Sequence, residues 1–381
     1  MRIYLGCQGI SILEVICWAV NLVGYRLANQ QLAQQRFERP SDVVAWLGAV
    51  QAQDYLAAKW AVGQRLPACT DAEIEQSLAK GAILRTHVMR PTWHFVSPAD
   101  IRWMLALTAP RVNALSAYYY RQFDFDAAFF ARSHKAIIRA LEGGHEFTRA
   151  EIASVLKRAG LIEHDAPGVN LRMAYIMVHA ELDGIVCSGA RRGKQFTYAL
   201  LDERVPRSRT LSRSEALAEL ATRYFTSHGP ATLKDFVWWS GLTMKDARTG
   251  LEMVKSKLLS EVSGEQMYWI PDSIPRALTA GRRAYLLPNF DEYIVGYSDR
   301  REICDEVHLK TADSRGNVLF SHTIVLDGKI AGTWKRSLAK ERVVVEVKPF
   351  APINTTQARK IAAAAELYGA FLGLESRVSS T

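Results

Sequence analysis

Two glutamines, Gln51 and Gln53, are the residues of this chain best suited to chemistry, spaced i, i+2 around Ala52 and followed by Asp54. Successive residues of a helix are rotated by about 100°, so such a pair does not share a helical face. The two amides converge only where the chain is extended or turning, yet apolar helical patterns flank them on both sides. An amide has no accessible proton-accepting pKa near neutrality and is no general base. What the pair offers is two side-chain carbonyls that orient a water and face developing positive charge.

Other chemistry is sparse. There is no G-x-G-x-x-G, Walker loop, G-x-S-x-G or H-E-x-x-H, and the nine histidines are not spaced as metal ligands. No cofactor and no metal is expected. His94 stands between Trp93 and Phe95, where a structural role competes with a functional one. The carboxylate pairs Asp124/Asp126 and Asp291/Glu292 read as turn caps. Arginines and lysines cluster at Arg191, Arg192 and Lys194, continuing to Arg213, and again at Trp334-Lys335-Arg336. Arginine beside an aromatic suits phosphate clamping and base stacking; a solvated basic surface is the simpler alternative.

The 381 residues, 49% hydrophobic, suffice for two or three domains. A net charge of +9 suits a phosphate-bearing partner without requiring one. The cysteines Cys7, Cys17, Cys69, Cys187 and Cys304 are scattered, which argues against a disulfide framework and fits the cytoplasm. Ile10 to Tyr25 is apolar but carries Glu14 and Asn21 and is short of the roughly 20 residues of a membrane span. It reads as an extra packing helix or an N-terminal extension.

Elements that position the glutamines follow from pattern. Arg26–Arg36 reads as a helix, Pro40-Ser41-Asp42 opens another, and Asp54 caps a third through Leu56, Trp60 and Val62. Thr70-Asp71-Ala72-Glu73 has the form of a capping box. Two β-like runs, 84–89 and 92–96, then join at Arg90-Pro91. Helices followed by a two-stranded hairpin is the winged-helix plan. It returns with helices at 147–160 and 170–182 and strands 185–188 and 196–199 around a basic tip. A third copy has helices at 214–227, 232–241 and 243–258, with strands near Val262 and 268–270. From Tyr285 the texture is β, with strands at 285–287, 318–320, 323–325 and 342–347, a turn at Asp327-Gly328, a last helix at 355–372 and a frayed tail after Glu375. The expected fold is α+β, mainly helical: an N-terminal extension (1–25), winged-helix units at 26–130, 131–211 and 212–283, and a β-rich part at 284–381 with a terminal helix.

Several runs together carry a resemblance: 26–29 (RLAN), 46–53 (WLGAVQAQ), 85–96 (RTHVMRPTWHFV), 287–300 (LPNFDEYIVGYSDR) and 332–336 (GTWKR). They resemble the AlkZ-type winged-helix DNA glycosylases, over roughly Arg26 to Leu372 and in the family's order. The resemblance implies a tandem winged-helix protein with a concave basic surface for double-stranded DNA. It implies excision of alkylated purines and, in some members, unhooking of interstrand crosslinks. The family's catalytic signature is glutamine–apolar–glutamine, which falls on Gln51, Ala52 and Gln53; Arg90, Thr92, His94 and Asp54 would line that site. An N7-alkylated guanine is cationic and leaves as a neutral base, so amides that only place water are adequate for it. A monomeric hydrolase is expected. The competing reading is a non-catalytic DNA-binding protein or regulator whose glutamines bond exposed loop carbonyls.

Overall fold

Local side-chain caps fix where many helices begin. The computed structural model describes residues 22–163, 168–205, 210–272, 283–311 and 318–380; the proposed packing role of residues before Leu22 lies outside them. The chain opens with α1 (Leu22–Asn29), α2 (Pro40–Leu47), β1 (Ala49–Gln51), α3 (Tyr55–Gly63), α4 (Asp71–Ala79), β2 (Leu84–His87) and β3 (Trp93–Val96). A long α5 (Ile101–Gln122) leads to α6 (Ala127–Leu141), β4 (Phe147–Thr148), α7 (Arg149–Arg158), α8 (Val169–Leu182), β5 (Val186–Ser188), β6 (Thr197–Leu200) and a single turn, α9 (Leu201–Arg204). Then follow α10 (Arg213–His228), α11 (Leu233–Ser240), α12 (Met244–Val254), β7 (Leu258–Ser263) and β8 (Gln266–Pro271). The C-terminal part contains β9 (Ala284–Leu287), α13 (Glu292–Val295), α14 (Glu306–Thr311), β10 (Thr323–Leu326), β11 (Lys329–Leu338), β12 (Arg342–Pro349), α15 (Thr355–Leu372) and β13 (Glu375–Ser380). Capping boxes at Thr70/Glu73, Thr148/Glu151, Ser212/Glu215 and Thr232/Asp235 start α4, α7, α10 and α11 by satisfying free N–H groups reciprocally.

Among the described residues the order of helices then antiparallel hairpin occurs three times, closing on sheets β1-β3-β2, β4-β6-β5 and β7-β8. The fourth sheet has the order β13-β12-β11-β10-β9, and its β12–β13 pair is parallel. Asp327 and Gly328 have φ of 49° and 82°, the left-handed values a two-residue hairpin needs.

Three local expectations are corrected, and one, an extended or turning chain at the glutamines, is met. The first helix ends at Asn29 rather than Arg36, because Gln30 turns inward and its amide donates to the Glu292 carbonyl and the Tyr297 hydroxyl. Residues 318–320 form a 3-10 turn rather than a strand. The tail after Glu375 is paired along β12 and not frayed. Gln51 belongs to a strand that adds to the first hairpin, so the break between helices is a piece of sheet.

That sheet lies between two cores. Val50, Ala52 and Phe95 pack with Trp60, Leu286, Ile324, Trp334 and α15, so the first helices and the C-terminal sheet share one interior. Ala49, Leu84 and Val96 face the other way, against α5, α10 and α11. The indole N–H groups of Trp60 and Trp334 donate to consecutive carbonyls of β9, Leu286 and Leu287, at 2.7 and 2.9 Å.

Candidate active site

Gln51 ends β1 and Gln53 lies in the bend just beyond it, while Val50 and Ala52 are buried in the shared interior. On the neighbouring strand Gln51 pairs with His94, and the Ala52 N–H donates to the Trp93 carbonyl at 2.7 Å. His94 and Thr92, also two apart, therefore lie beside the two glutamines. The Gln51 carbonyl accepts from an Arg90 guanidinium N–H at 2.8 Å, and the Gln53 carbonyl accepts from the Thr92 hydroxyl at 2.9 Å. Each carbonyl oxygen keeps a second lone pair. Gln51 is nearly buried and Gln53 is exposed, so the polar face runs from interior to surface.

His94 is fully buried. Burial first, and then the neighbouring Arg90 charge, hold it well below the usual imidazole range, against the opposing effect of the Thr92 carbonyl. It is neutral near pH 7. Its Nδ1–H donates to the Thr92 carbonyl at 2.9 Å, leaving Nε2 as the acceptor 3.4 Å from Arg90. His94 thus orients Arg90, and Arg90 orients Gln51.

Arg90 is delivered by two consecutive tight turns, in which the Arg90 N–H bonds the Val88 carbonyl and the Thr92 N–H bonds the Arg90 carbonyl, each at 2.7 Å. Met89 at the first apex has φ of 63°, an uncommon conformation for a side-chain-bearing residue. Gly241 faces this turn, where a Cβ would come within 2.5 Å of the Met89 carbonyl. Strain of this kind persists where packing over-determines it.

Two further residues lock the strand itself: Arg85, which did not stand out in the sequence, and Glu292, which was read there as a turn cap and is corrected to a buried acceptor. Glu292, fully buried, accepts from the Gln51 backbone N–H at 2.9 Å, the Trp239 indole at 2.9 Å and His228 Nε2 at 3.2 Å. Burial pushes its carboxyl up, but the His228 bond and charge, the Arg90 charge and the Gln51 N–H outweigh it and bring it below the ordinary value. Arg85 donates from Nε to the Ala52 carbonyl at 3.2 Å and lies against Trp93 and Phe196, 4.2 and 4.6 Å from their ring centres. The signal for Arg85 was membership of the run 85–96, and for Glu292 membership of the run 287–300 together with its pairing with Asp291. Beside Glu292, Asp291 forms a buried bidentate pair with Arg65 at 2.8 Å and also caps α13. This short segment therefore ties the first helices and α10–α11 to the C-terminal part.

The remaining expected site residues are dispersed. Asp54 caps α3, accepting from the Ala57 N–H at 3.1 Å. Arg191 pairs with Glu75 at 3.3 Å and sits over Tyr55, while Arg192 pairs with Glu151. Lys194 and Lys335 are exposed, the first at the tip of the β5–β6 hairpin. Arg336 donates to the Tyr368 hydroxyl at 2.7 Å. Trp334 is a correction: only 2% exposed, it packs on His322 and Tyr368 within the core and is closed to a nucleobase. Its side chain alternates inward while Lys335 points out, as β11 requires.

The segment 51–53 thus presents two amides whose side-chain carbonyls are oriented by Arg90 and Thr92. The family model "DNA glycosylase AlkZ-like" matches residues 44–371, and the chain belongs to that family. Its members are DNA glycosylases, hydrolases acting on N-glycosyl bonds. The chain is 26% identical over 326 residues to an interstrand DNA cross-link repair glycosylase of Streptomyces sahachiroi, covering 82% of this chain and 86% of the relative. It also superposes on the solved structure of the DNA glycosylase AlkZ of Streptomyces sahachiroi with a TM-score of 0.75 at 21% identity, covering 95% and 99% of the two chains. Among the described residues no helix is long and apolar enough to cross a membrane.

Proposed function

We propose that this chain excises N7- or N3-alkylated purines from double-stranded DNA, unhooks interstrand crosslinks built on such bases, and does so as a monofunctional, monomeric, cytoplasmic repair enzyme. The carrying observation is that Gln51, at the end of β1, and Gln53, in the bend just beyond it, each have their side-chain carbonyl already oriented, by Arg90 and Thr92 respectively. The free lone pairs hold the attacking water, and the carbonyl dipoles face the positive charge that develops on the sugar. The groups nearest the pair that could take a proton are already engaged: Glu292 by the Gln51 N–H, Trp239 and His228, Asp54 by the Ala57 N–H, and His94 by Thr92 and Arg90. Such a site suits a leaving group that is already cationic and is poor on undamaged bases.

The three helix–hairpin groups are read here as winged-helix units near 26–130, 131–211 and 212–283, preceding a β-rich part at 284–381. Lys194 and Lys335, joined by Arg191, Arg192 and Arg336 when DNA competes with their internal partners, supply phosphate contacts. The crosslink assignment is supported by the relative from Streptomyces sahachiroi, an interstrand DNA cross-link repair glycosylase. Incubation with duplex DNA carrying N7-methylguanine should release free base and leave abasic sites. A crosslinked duplex tested in parallel separates the two substrates, and binding without release from either would favour the non-catalytic reading.

A further inference from the structure

His134, His179 and Asp183 form a cluster that the proposed reaction does not use. His179 and Asp183 stand four residues apart, one helical turn, at the end of α8. The fold adds His134 from the inner face of α6, a residue that sequence spacing does not bring to the other two. His179 Nδ1 lies 3.3 Å from His134 Nε2 and 3.4 Å from Asp183 Oδ2, while His134 Nδ1 lies 3.7 Å from the same Oδ2. Metal–ligand bonds of 2.0–2.1 Å in tetrahedral geometry place ligand atoms about 3.3–3.4 Å apart. His179 Nδ1 therefore already stands about one tetrahedral edge from both His134 Nε2 and Asp183 Oδ2, and one donor atom from each of the three residues lies within 4.8 Å of the others.

The rings are held before any ion arrives. His179 stacks on Phe130 with centroids 3.5 Å apart and meets the edge of Tyr120 at 5.4 Å. Burial first, and for His134 also its histidine neighbour, lowers both rings to about 4, so their lone pairs are available at neutral pH. The Asp183 side chain is 39% exposed, which leaves a solvent side for a further ligand. Two imidazoles with one carboxylate suit zinc and its first-row neighbours, and suit magnesium or calcium poorly.

We infer that His134, His179 and Asp183 bind one divalent cation of the zinc class, completed by water, which staples α6 to α8. The site is independent of the glutamine face and of the excision reading. The test is a cobalt(II) titration of the full chain after treatment with a chelator. One equivalent should bind with visible d–d bands, zinc should displace it, and zinc should raise the melting temperature. Asp183→Ala, at a half-exposed position, and His134→Gln, which keeps much of the ring volume, should each abolish the bands with an unchanged far-ultraviolet circular dichroism spectrum. Absence of bands and of a zinc-dependent melting shift in the parent protein overturns the inference and leaves a plain imidazole–carboxylate cluster. Bands that persist in both variants overturn it equally, because the ion is then held elsewhere.

Discussion

Replacing Gln51 with alanine removes one of the two carbonyls proposed to hold the attacking water and also the acceptor of an Arg90 N–H at 2.8 Å. The two losses are separable. Loss of one preorganised polar contact to a transition state costs roughly 3 kcal/mol, or about a hundredfold in rate. Loss of the acceptor leaves a half-buried guanidinium short of a partner, which costs about 1–2 kcal/mol of stability. Duplex affinity should hardly change, since a neutral amide releases no counterions from DNA. Gln53→Ala should show a similar rate loss with a smaller stability cost, because its partner Thr92 is at the surface and can bond water. The double variant should lose less than the product of the two, because both carbonyls hold one water. Gln53→Asp should retain part of the activity, since a carboxylate also orients water and takes its proton. Single-turnover release of N7-methylguanine, duplex binding by anisotropy and thermal melting measure the three quantities. A double variant that excises at the parental single-turnover rate refutes the mechanism.

Three further outcomes follow from the geometry. Neutralising Arg191, Arg192, Lys194, Lys335 and Arg336 together should weaken binding to any duplex and flatten its salt dependence, with the exposed lysines contributing most; unchanged affinity across a salt titration places the DNA face elsewhere. Arg65→Met strands the buried Asp291 carboxylate and should cost about 3–5 kcal/mol in denaturant unfolding; a loss below about 1 kcal/mol contradicts the role given to this pair. Finally, burial depresses His94, His134, His179 and His322 in the folded chain, the last three to about 4. The unfolded chain takes up their protons as pH falls through about 6.5 while the native state resists, so stability is full above that value and lost toward the folded values. A melting temperature independent of pH between 7 and 5 is the contrary result.

Much of the scaffold was legible because it is local. A capping box is complete within four residues, so Thr70/Glu73 announced α4 without knowledge of the fold. The Asp327-Gly328 turn was equally local. The i, i+2 spacing of Gln51 and Gln53 correctly excluded a helix: the chain there is extended at Gln51 and turning at Gln53. Errors arose where distant residues decide. The three-residue β1 is too short to declare itself and exists because it pairs with β3. The polar-flanked Trp334 read as a nucleic-acid contact, but the carbonyl that captures its indole is 47 residues away.

The same distinction explains the least legible member of the site. Glu292 and Gln51 are 241 residues apart, and no pattern in either segment links them. In the folded chain one carboxylate accepts from the Gln51 backbone on one side and from His228 and Trp239 on the other. A buried carboxylate is tolerated only when such donors surround it. Satisfying Glu292 therefore requires β1, α10 and α11 to be in register together. That requirement makes the glutamine-bearing strand a junction between two cores, and a junction of this kind holds catalytic groups more tightly than a loop would. The amides can be weak as acids and bases because the chain supplies orientation instead, through His94 on Arg90, Arg90 on Gln51 and Thr92 on Gln53.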